Sequence, residues 1–220
     1  MNRPLIPLVL ASALLAAAPF AASAQAAQPA AAAATQGESP SKLVLDNSQR
    51  ILSTLESRRA EFTADRSKLQ AFIAGEFDQM FDRDYSARQV LGRHGRGADD
   101  AEVKVFADAL ADSLMRRYGS SLLDFNTQLK VRVKSETPLP RGLGVKVSSE
   151  MLPSGGEPIP VDYLMRQTAN GWRVFDVMVE GVSFVQTFRQ QFDTPLSRKS
   201  IREVAADLRA GRMQADAGTN

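Results

Sequence analysis

The chain has 220 residues with one His, one Trp and no Cys, and its formal net charge is +2. The lack of cysteine excludes a disulfide scaffold and a thiol nucleophile, and a single histidine cannot build a Cys/His zinc site. The near balance of 27 basic and 25 acidic residues argues against nucleic acid as the main partner. A hydrophobic share of 44% is ordinary for a folded protein.

The first 24 residues have the pattern of a secretory signal peptide. Arg3 is followed by an uncharged apolar run, and Ala22-Ser23-Ala24 provides the small residues of a cleavage site. The apolar run is shorter than the roughly 20 residues that a membrane-spanning helix needs, and no lipid-accepting Cys follows it. We therefore expect export to the periplasm, with cleavage between Ala24 and Gln25.

Composition predicts a single folded domain over residues 42–212. Residues 25–41 are rich in Ala and Pro, lack apolar periodicity and are typical of a disordered leader. Residues 213–220 are expected to form a flexible tail.

Helical periodicity dominates the first half of this domain. An apolar stripe over residues 43–55 predicts a first helix, and Asp65 is placed to cap a second one. A short helical segment ends before Gly92, a residue typical of the position after a helix. Asp99, with a Glu three residues later, resembles a capping box that opens a long helix.

Period-two alternation then predicts four antiparallel strands joined by short turns, within 129–134, 145–148, 161–165 and 172–180. Asn170-Gly171 is a strong hairpin signal between the last two strands. Two closing helices are expected from Ser183 and Ser197. The predicted fold class is α+β: a four-stranded curved antiparallel sheet covered by helices, with an apolar cavity between the layers.

The sequence offers few candidates for acid–base chemistry, and we predict no catalytic residue and no metal ligand. His94 lies in a glycine- and arginine-rich stretch and is interpreted as a solvated loop residue instead of a proton shuttle or an anion contact. Asp82 and Asp84 are interpreted as turn formers. Asp176 and Glu180 lie four apart on the last strand, where they are expected to support the strand end and the next helix start.

Eleven Phe and seven Met residues fall largely in stripes. A filled core would explain them, but large side chains that converge from several helices on one sheet also line cavities. The residue pattern leaves both possibilities open.

The segment 171–192 resembles the signature of the MlaC-type, or toluene-tolerance, family. That signature is a Trp, an aromatic-Asp pair, Glu-Gly-Val-Ser and Arg-x-x-Phe, carried here by Trp172, Phe175, Asp176, Glu180, Gly181, Val182, Ser183, Arg189 and Phe192. The resemblance extends over about residues 42–210 and includes Val90-Leu91-Gly92 and the helix from Phe106 to Tyr118. The loop 93–98 departs from the pattern because it lacks the expected aromatic residue.

The resemblance implies a periplasmic, non-enzymatic carrier of glycerophospholipids. In that scheme the carrier moves lipid between an outer-membrane lipoprotein complex and an inner-membrane ABC transporter complex, and so maintains the lipid asymmetry of the outer membrane. No cofactor is expected, since phospholipid is cargo, and the protein is expected to be a monomer.

Alternation and the resemblance together select the residues expected to bind the acyl chains. The strand residues are Leu129, Val131, Val133, Val145, Val147, Val161, Tyr163, Met165, Phe175, Val177 and Val179. The helix residues are Phe77, Phe81, Phe106, Leu110, Leu114, Phe184 and Phe188. The last strand is apolar on both faces, so its parity stays open, with the odd-numbered residues taken as inward.

Two other functions remain open at this point. One is a small cavity enzyme that uses Asp176 or Glu180 inside the pocket, and the other is a periplasmic adaptor with a filled core.

Overall fold

A computed structural model describes residues 38–118 and 129–216. The predicted signal peptide and residues up to 37 lie outside the described residues. The helices before the sheet are α1 (Pro40–Ser57), α2 (Arg59–Ala64), α3 (Arg66–Met80), α4 (Arg83–Leu91) and α5 (Asp100–Tyr118), with a 3₁₀ turn at Gly92–Gly95. The helices after the sheet are α6 (Phe184–Leu196) and α7 (Ile201–Arg209).

Side-chain caps mark the start of most of these helices, although not of α2, because each cap supplies an acceptor to a backbone N–H of the first turn. Asp65 accepts from the backbone N–H of Ser67 and opens α3, and Ser183 opens α6, both as predicted. The predicted start at Ser197 is wrong: α7 begins three residues later than Ser197 would place it, because Ser200 and Glu203 form a complete capping box. The short α2 was not predicted, since one buried side chain gives no stripe.

The sheet is antiparallel throughout, and its strand order follows the chain. Its strands are β1 (Lys130–Pro138), β2 (Val145–Leu152), β3 (Ile159–Thr168), β4 (Gly171–Val179) and β5 (Val182–Ser183). The α+β class is confirmed, with five strands in place of four. The extra strand arises because Glu180 and Gly181, at φ 50° and 83°, form a two-residue turn that returns the chain beside β4.

The buried apolar side chains of the described residues form three clusters. The sheet cluster consists of Val44, Met80, Val147, Val161, Tyr163, Met165 and Val174. The helical cluster joins α4, α5, α6 and α7, with Phe106, Phe188, Phe192 and Val204 among its members. The third cluster consists of Leu55, Phe62, Leu69 and Ile73, where α1, α2 and α3 meet.

The ends of the domain extend further than the sequence predicts. Ser39 caps α1, which starts at Pro40 and takes up the last residues of the predicted leader. Met213 to Asp216 do not form a loose tail, because Ala215 is fully buried and its backbone N–H donates to Ser113 Oγ at 3.1 Å. Among the described residues, no helix is long and apolar enough to span a membrane.

Candidate functional site

One face of the sheet, called here the inward face, is apolar across four strands. One row runs from Val133 on β1 through Ser149 and Val161 to Val179 on β4. Ser149 is the polar member of that row, and its hydroxyl is satisfied by donation to the Val161 carbonyl at 2.9 Å. A second row pairs Val147 with Tyr163 and Tyr163 with Val177. The register therefore places the apolar residues of the alternating pattern on one surface.

Helix α1 and the end of α3 cover this face. Val44 of α1 is fully buried against it, and Met80 of α3 is 5% exposed. The Ser41 hydroxyl donates to the Glu136 carboxylate of β1 at 2.9 Å, which fixes the start of α1 over the edge strand. The sheet and α1 therefore form two layers with an apolar contact between them.

Two polar side chains are buried on the sheet and its covering helices. Tyr163 is 7% exposed, and burial raises the pKa of its phenol above the usual 10.0, while a hydrogen bond with Ser48 of α1 opposes that shift. Glu76 of α3 is also buried and accepts from Arg50 of α1 at 2.6 Å. Arg50 also donates to Asn47, so a charged network joins the two covering helices.

Half of the predicted lipid-binding residues lie in or against the sheet cluster. They are Phe81, Val133, Val145, Val147, Val161, Tyr163, Met165, Val177 and Val179. Val131 is half-buried and shares the inward face through its pairing with Met151, while Leu129 precedes β1 and is half-buried.

Val177 and Val179 lie on the inward face of the sheet, where the sequence analysis places them, whereas Phe175 does not. An irregularity opposite Leu164 and Met165 shifts the register by one residue, so Val174 becomes the buried inward residue. The Phe175 ring instead lies edge-on to Tyr85 of α4, with centroids 5.4 Å apart.

Apart from Phe81 at the end of α3, the predicted helix residues do not belong to the sheet cluster. Most of them lie in or against the helical cluster: Phe106, Leu110, Leu114, Phe184 and Phe188. Within it, the rings of Phe106 and Phe192 pack edge-to-face with centroids 5.6 Å apart. Their helical stripes identify a buried face but not the element it contacts. Packing among α4 to α7 explains why they are buried.

Phe77 and Phe81 form an aromatic pair at the end of α3. Their rings stack with centroids 4.0 Å apart, and Phe77 remains 39% exposed. Phe81 bridges to Val174 of β4, next to the inward face. Phe77 thus lies at the margin of the apolar layer instead of inside it.

The residues of the 171–192 signature stabilise the fold in the described structure. Asp176 faces away from Tyr163, and its carboxylate accepts from the Ser183 hydroxyl at 2.5 Å and from the Val185 N–H at 3.0 Å, at the start of α6. Burial raises the pKa of Asp176, and these hydrogen bonds oppose the shift. Glu180 is an exposed turn residue. The two carboxylates therefore do not meet in a pocket beside Tyr163, which removes the support for the enzyme alternative.

Arg189 joins the 171–192 signature to α4, next to the Val90-Leu91-Gly92 segment of the family resemblance. Its Nε donates at 2.7 Å to the carbonyl of Gln89, one of the last four carbonyls of α4, which lack helical partners. Gly92 makes room for this contact, because a Cβ at that position would lie 3.3 Å from Arg189 Nε. Gly92 also has φ 52° and ψ −120°, which favours glycine. Gly92 and Arg189 are thus both explained by the contact between the end of α4 and α6.

His94 is not a free loop residue, contrary to the sequence-based interpretation. Its Nε2 lies 2.9 Å from Asp193 Oδ1 of α6, and Arg93 donates to the same carboxylate at 2.8 Å. These two contacts, led by the histidine, hold the pKa of Asp193 below its usual range. The loop is thereby attached to α6.

Two pockets in the described part of the chain are open and polar. One, of about 490 Å³, is lined mainly by arginines of α4, the 3₁₀ turn and α6. The other, of about 460 Å³, is lined by charged residues of α3, α4 and α5, by Phe81, and by the ends of β3 and β4 with the turn between them. Neither is the apolar cavity predicted between sheet and helices. No cluster of metal-ligating side chains occurs within residues 38–118 and 129–216.

The layered architecture has a solved counterpart that defines the fold. The chain superimposes on the phospholipid-binding protein from Ralstonia solanacearum, solved in complex with a phospholipid, with a TM-score of 0.69 and 20% identity, over 79% of this chain and 98% of that one. The protein is therefore an α+β protein of that fold.

The sequence comparisons identify the family. The chain matches the sequence profile of the MlaC protein family over residues 45–210, and it belongs to that family. It is also 24% identical over 188 residues to the toluene tolerance protein ttg2D of Pseudomonas putida, covering 81% of this chain and 86% of that protein.

Proposed function

We propose that the chain is a periplasmic carrier that binds the acyl chains of glycerophospholipids. It moves lipid between an outer-membrane lipoprotein complex and an inner-membrane ABC transporter complex, and so maintains the lipid asymmetry of the outer membrane. The observation that supports the proposal is the apolar inward face, continuous over β1 to β4, in a member of the MlaC family. The phospholipid bound to the Ralstonia solanacearum protein supports the same ligand class.

The half-buried residues of the inward face are the proposed acyl-chain contacts: Phe81, Val133, Val145, Val177 and Val179. The fully buried members of the sheet cluster, such as Val147 and Met165, pack against these residues. Phe77, with its exposed ring, is proposed to contact the lipid at the margin of the layer. Separation of α1 from the sheet would uncover this surface, and it would break the Ser48–Tyr163 and Ser41–Glu136 hydrogen bonds.

The energetics of acyl chains require a partner at each end of the transfer. Burial of one methylene group contributes about 0.8 kcal/mol, and the two tails of a phospholipid carry roughly 30 of them. Release of both tails into water would cost on the order of 20 kcal/mol, which makes spontaneous release negligible. Transfer therefore proceeds only where a docked complex offers a continuous apolar path. The pattern of residues 1–24 supports the periplasm as the compartment.

Photocrosslinking within one strand tests the proposal. A photoreactive p-benzoyl-phenylalanine at Val177 faces the inward side, while the same group at Met178 faces outward and is also half-buried. We expect ultraviolet light to attach phospholipid to the protein labelled at Val177 and not at Met178. Absence of lipid adducts at Val177, or equal adducts at both positions, would contradict the proposal and favour the adaptor with a filled core.

A further inference from the structure

Four arginines surround the 490 Å³ pocket at the junction of α4, the 3₁₀ turn and α6. They are Arg88, Arg93, Arg96 and Arg189, and Asp193 is the one acidic residue of the lining. No residue of the sheet contributes to the pocket, so it is separate from the proposed acyl-chain surface. It includes the loop in which this chain departs from the family signature.

The positive charge of this pocket is only partly neutralised. Arg88 pairs with Asp100, and Arg93 donates to Asp193 at 2.8 Å. Arg189 donates to the carbonyl of Gln89, a neutral group that satisfies its hydrogen bonds without cancelling its charge. The exposed side chain of Arg96 has no hydrogen-bond or ion-pair partner among residues 38–118 and 129–216.

Asp193 does little to repel an anion. Its two carboxylate oxygens are already engaged, one by Arg93 and the other by His94. Arg96 is therefore left without an ionic partner among the described residues, while Arg189 interacts electrostatically with Asp176, which lies outside the lining of the pocket. The whole chain carries a net charge of only +2, so this is a local concentration of positive charge.

We propose that this pocket binds a phosphate-type oxyanion through Arg96 and its neighbouring arginines. The planar, permanently charged guanidinium groups match the geometry of phosphate oxygens, which they contact in pairs. A volume of about 490 Å³ lies within the range of small-molecule sites and exceeds what a single ion fills. The phosphate belongs either to a lipid headgroup at a membrane surface or to a soluble phosphate compound.

Titration calorimetry with inorganic phosphate, at constant ionic strength set with chloride, tests the pocket. Constant ionic strength is needed because salt screens exposed charges. The test variant is Arg96→Gln, which breaks no side-chain contact of the described fold. The matched control is Arg66→Gln, which removes an exposed arginine at the start of α3. We expect Arg96→Gln to weaken phosphate binding about tenfold and the control to leave it unchanged.

A second arm separates the two sources of phosphate. Wild-type protein and both variants are sedimented with phosphatidylcholine vesicles that contain or lack phosphatidylglycerol. Phosphate binding with Arg96-dependent binding to the anionic vesicles identifies a lipid headgroup, and phosphate binding without vesicle binding identifies a soluble phosphate; both support the site. Equal phosphate affinity in wild type and Arg96→Gln, or no phosphate binding at all, overturns it. Binding of a polyglutamate peptide without phosphate binding also overturns it, in favour of an acidic protein partner.

This outcome is independent of the proposed lipid carriage. Arg96→Gln is expected to keep the same amount of co-purified phospholipid as wild type, because the pocket shares no residue with the inward face. Failure of phosphate binding with lipid retained therefore rejects the pocket alone.

Discussion

Replacement of Arg189 by methionine tests whether the family signature stabilises the fold instead of contacting the ligand. Arg189→Met keeps a long apolar side chain but removes the hydrogen bonds to the Gln89 carbonyl, one of which measures 2.7 Å. A hydrogen bond from a charged donor contributes about 1.5–3 kcal/mol, and Arg189 is half-buried, so we expect a loss of about 2 kcal/mol in the free energy of unfolding. For a domain of this size, that loss lowers the melting temperature by about 4–8 °C.

Urea unfolding of protein refolded without lipid measures this loss, because bound ligand would otherwise add to the stability. The control is Arg198→Met, at an exposed position whose side chain has no partner among the described residues. In parallel, phospholipid is extracted from each purified variant. We expect Arg189→Met to lose stability and to keep its lipid. A variant that keeps wild-type stability but loses its lipid would refute the structural role of the signature.

Three further predictions concern a tight turn and two buried ionisable groups. Gly144→Ala places a Cβ 1.9 Å from the Met165 carbonyl oxygen and should cost more than about 3 kcal/mol in urea titrations, whereas Gly155→Ala, with nothing within 4 Å, should cost about 1–2 kcal/mol; equal losses would contradict the close approach of the two strands. Because burial raises the pKa of Tyr163, stability should fall as the pH rises above 10, and absorbance at alkaline pH should show one tyrosine that ionises only on unfolding; three tyrosines that titrate freely would contradict its burial. Because the folded pKa of Asp176 is raised, its contribution to stability is largest below pH 3.8 and declines as the pH rises through the folded pKa; Asp176→Asn should remove that decline, and an unchanged pH profile would contradict it.

Local signals in the sequence predicted the elements better than their partners. Asp65 and Ser183 cap helices as expected, since a cap depends only on residues within the first turn. The apolar stripe that contains Phe106 was correctly expected to be buried. The sequence analysis placed it against the sheet, however, whereas it packs in the helical cluster. A helical stripe specifies a face and not the neighbour against which that face packs, so the helical cluster could not be separated from the sheet.

The parity of β4 shows a second limit of the sequence pattern. Alternation predicts an inward Phe175, yet one irregularity in the pairing with β3 places Val174 inward instead. Such a shift depends on contacts between strands. The sequence of a strand that is apolar on both faces does not indicate where the shift occurs. The β4–β5 turn, by contrast, could have been found, because a glycine after the last strand residues is typical of a tight hairpin.

We propose that the apolar side chains between α1 and the sheet accommodate phospholipid. The most direct test is mass spectrometry of organic extracts from protein secreted into the periplasm of a Gram-negative host and purified without detergent. We expect glycerophospholipid in stoichiometric amount with the folded protein. Folded protein that yields no glycerophospholipid under these conditions would contradict it.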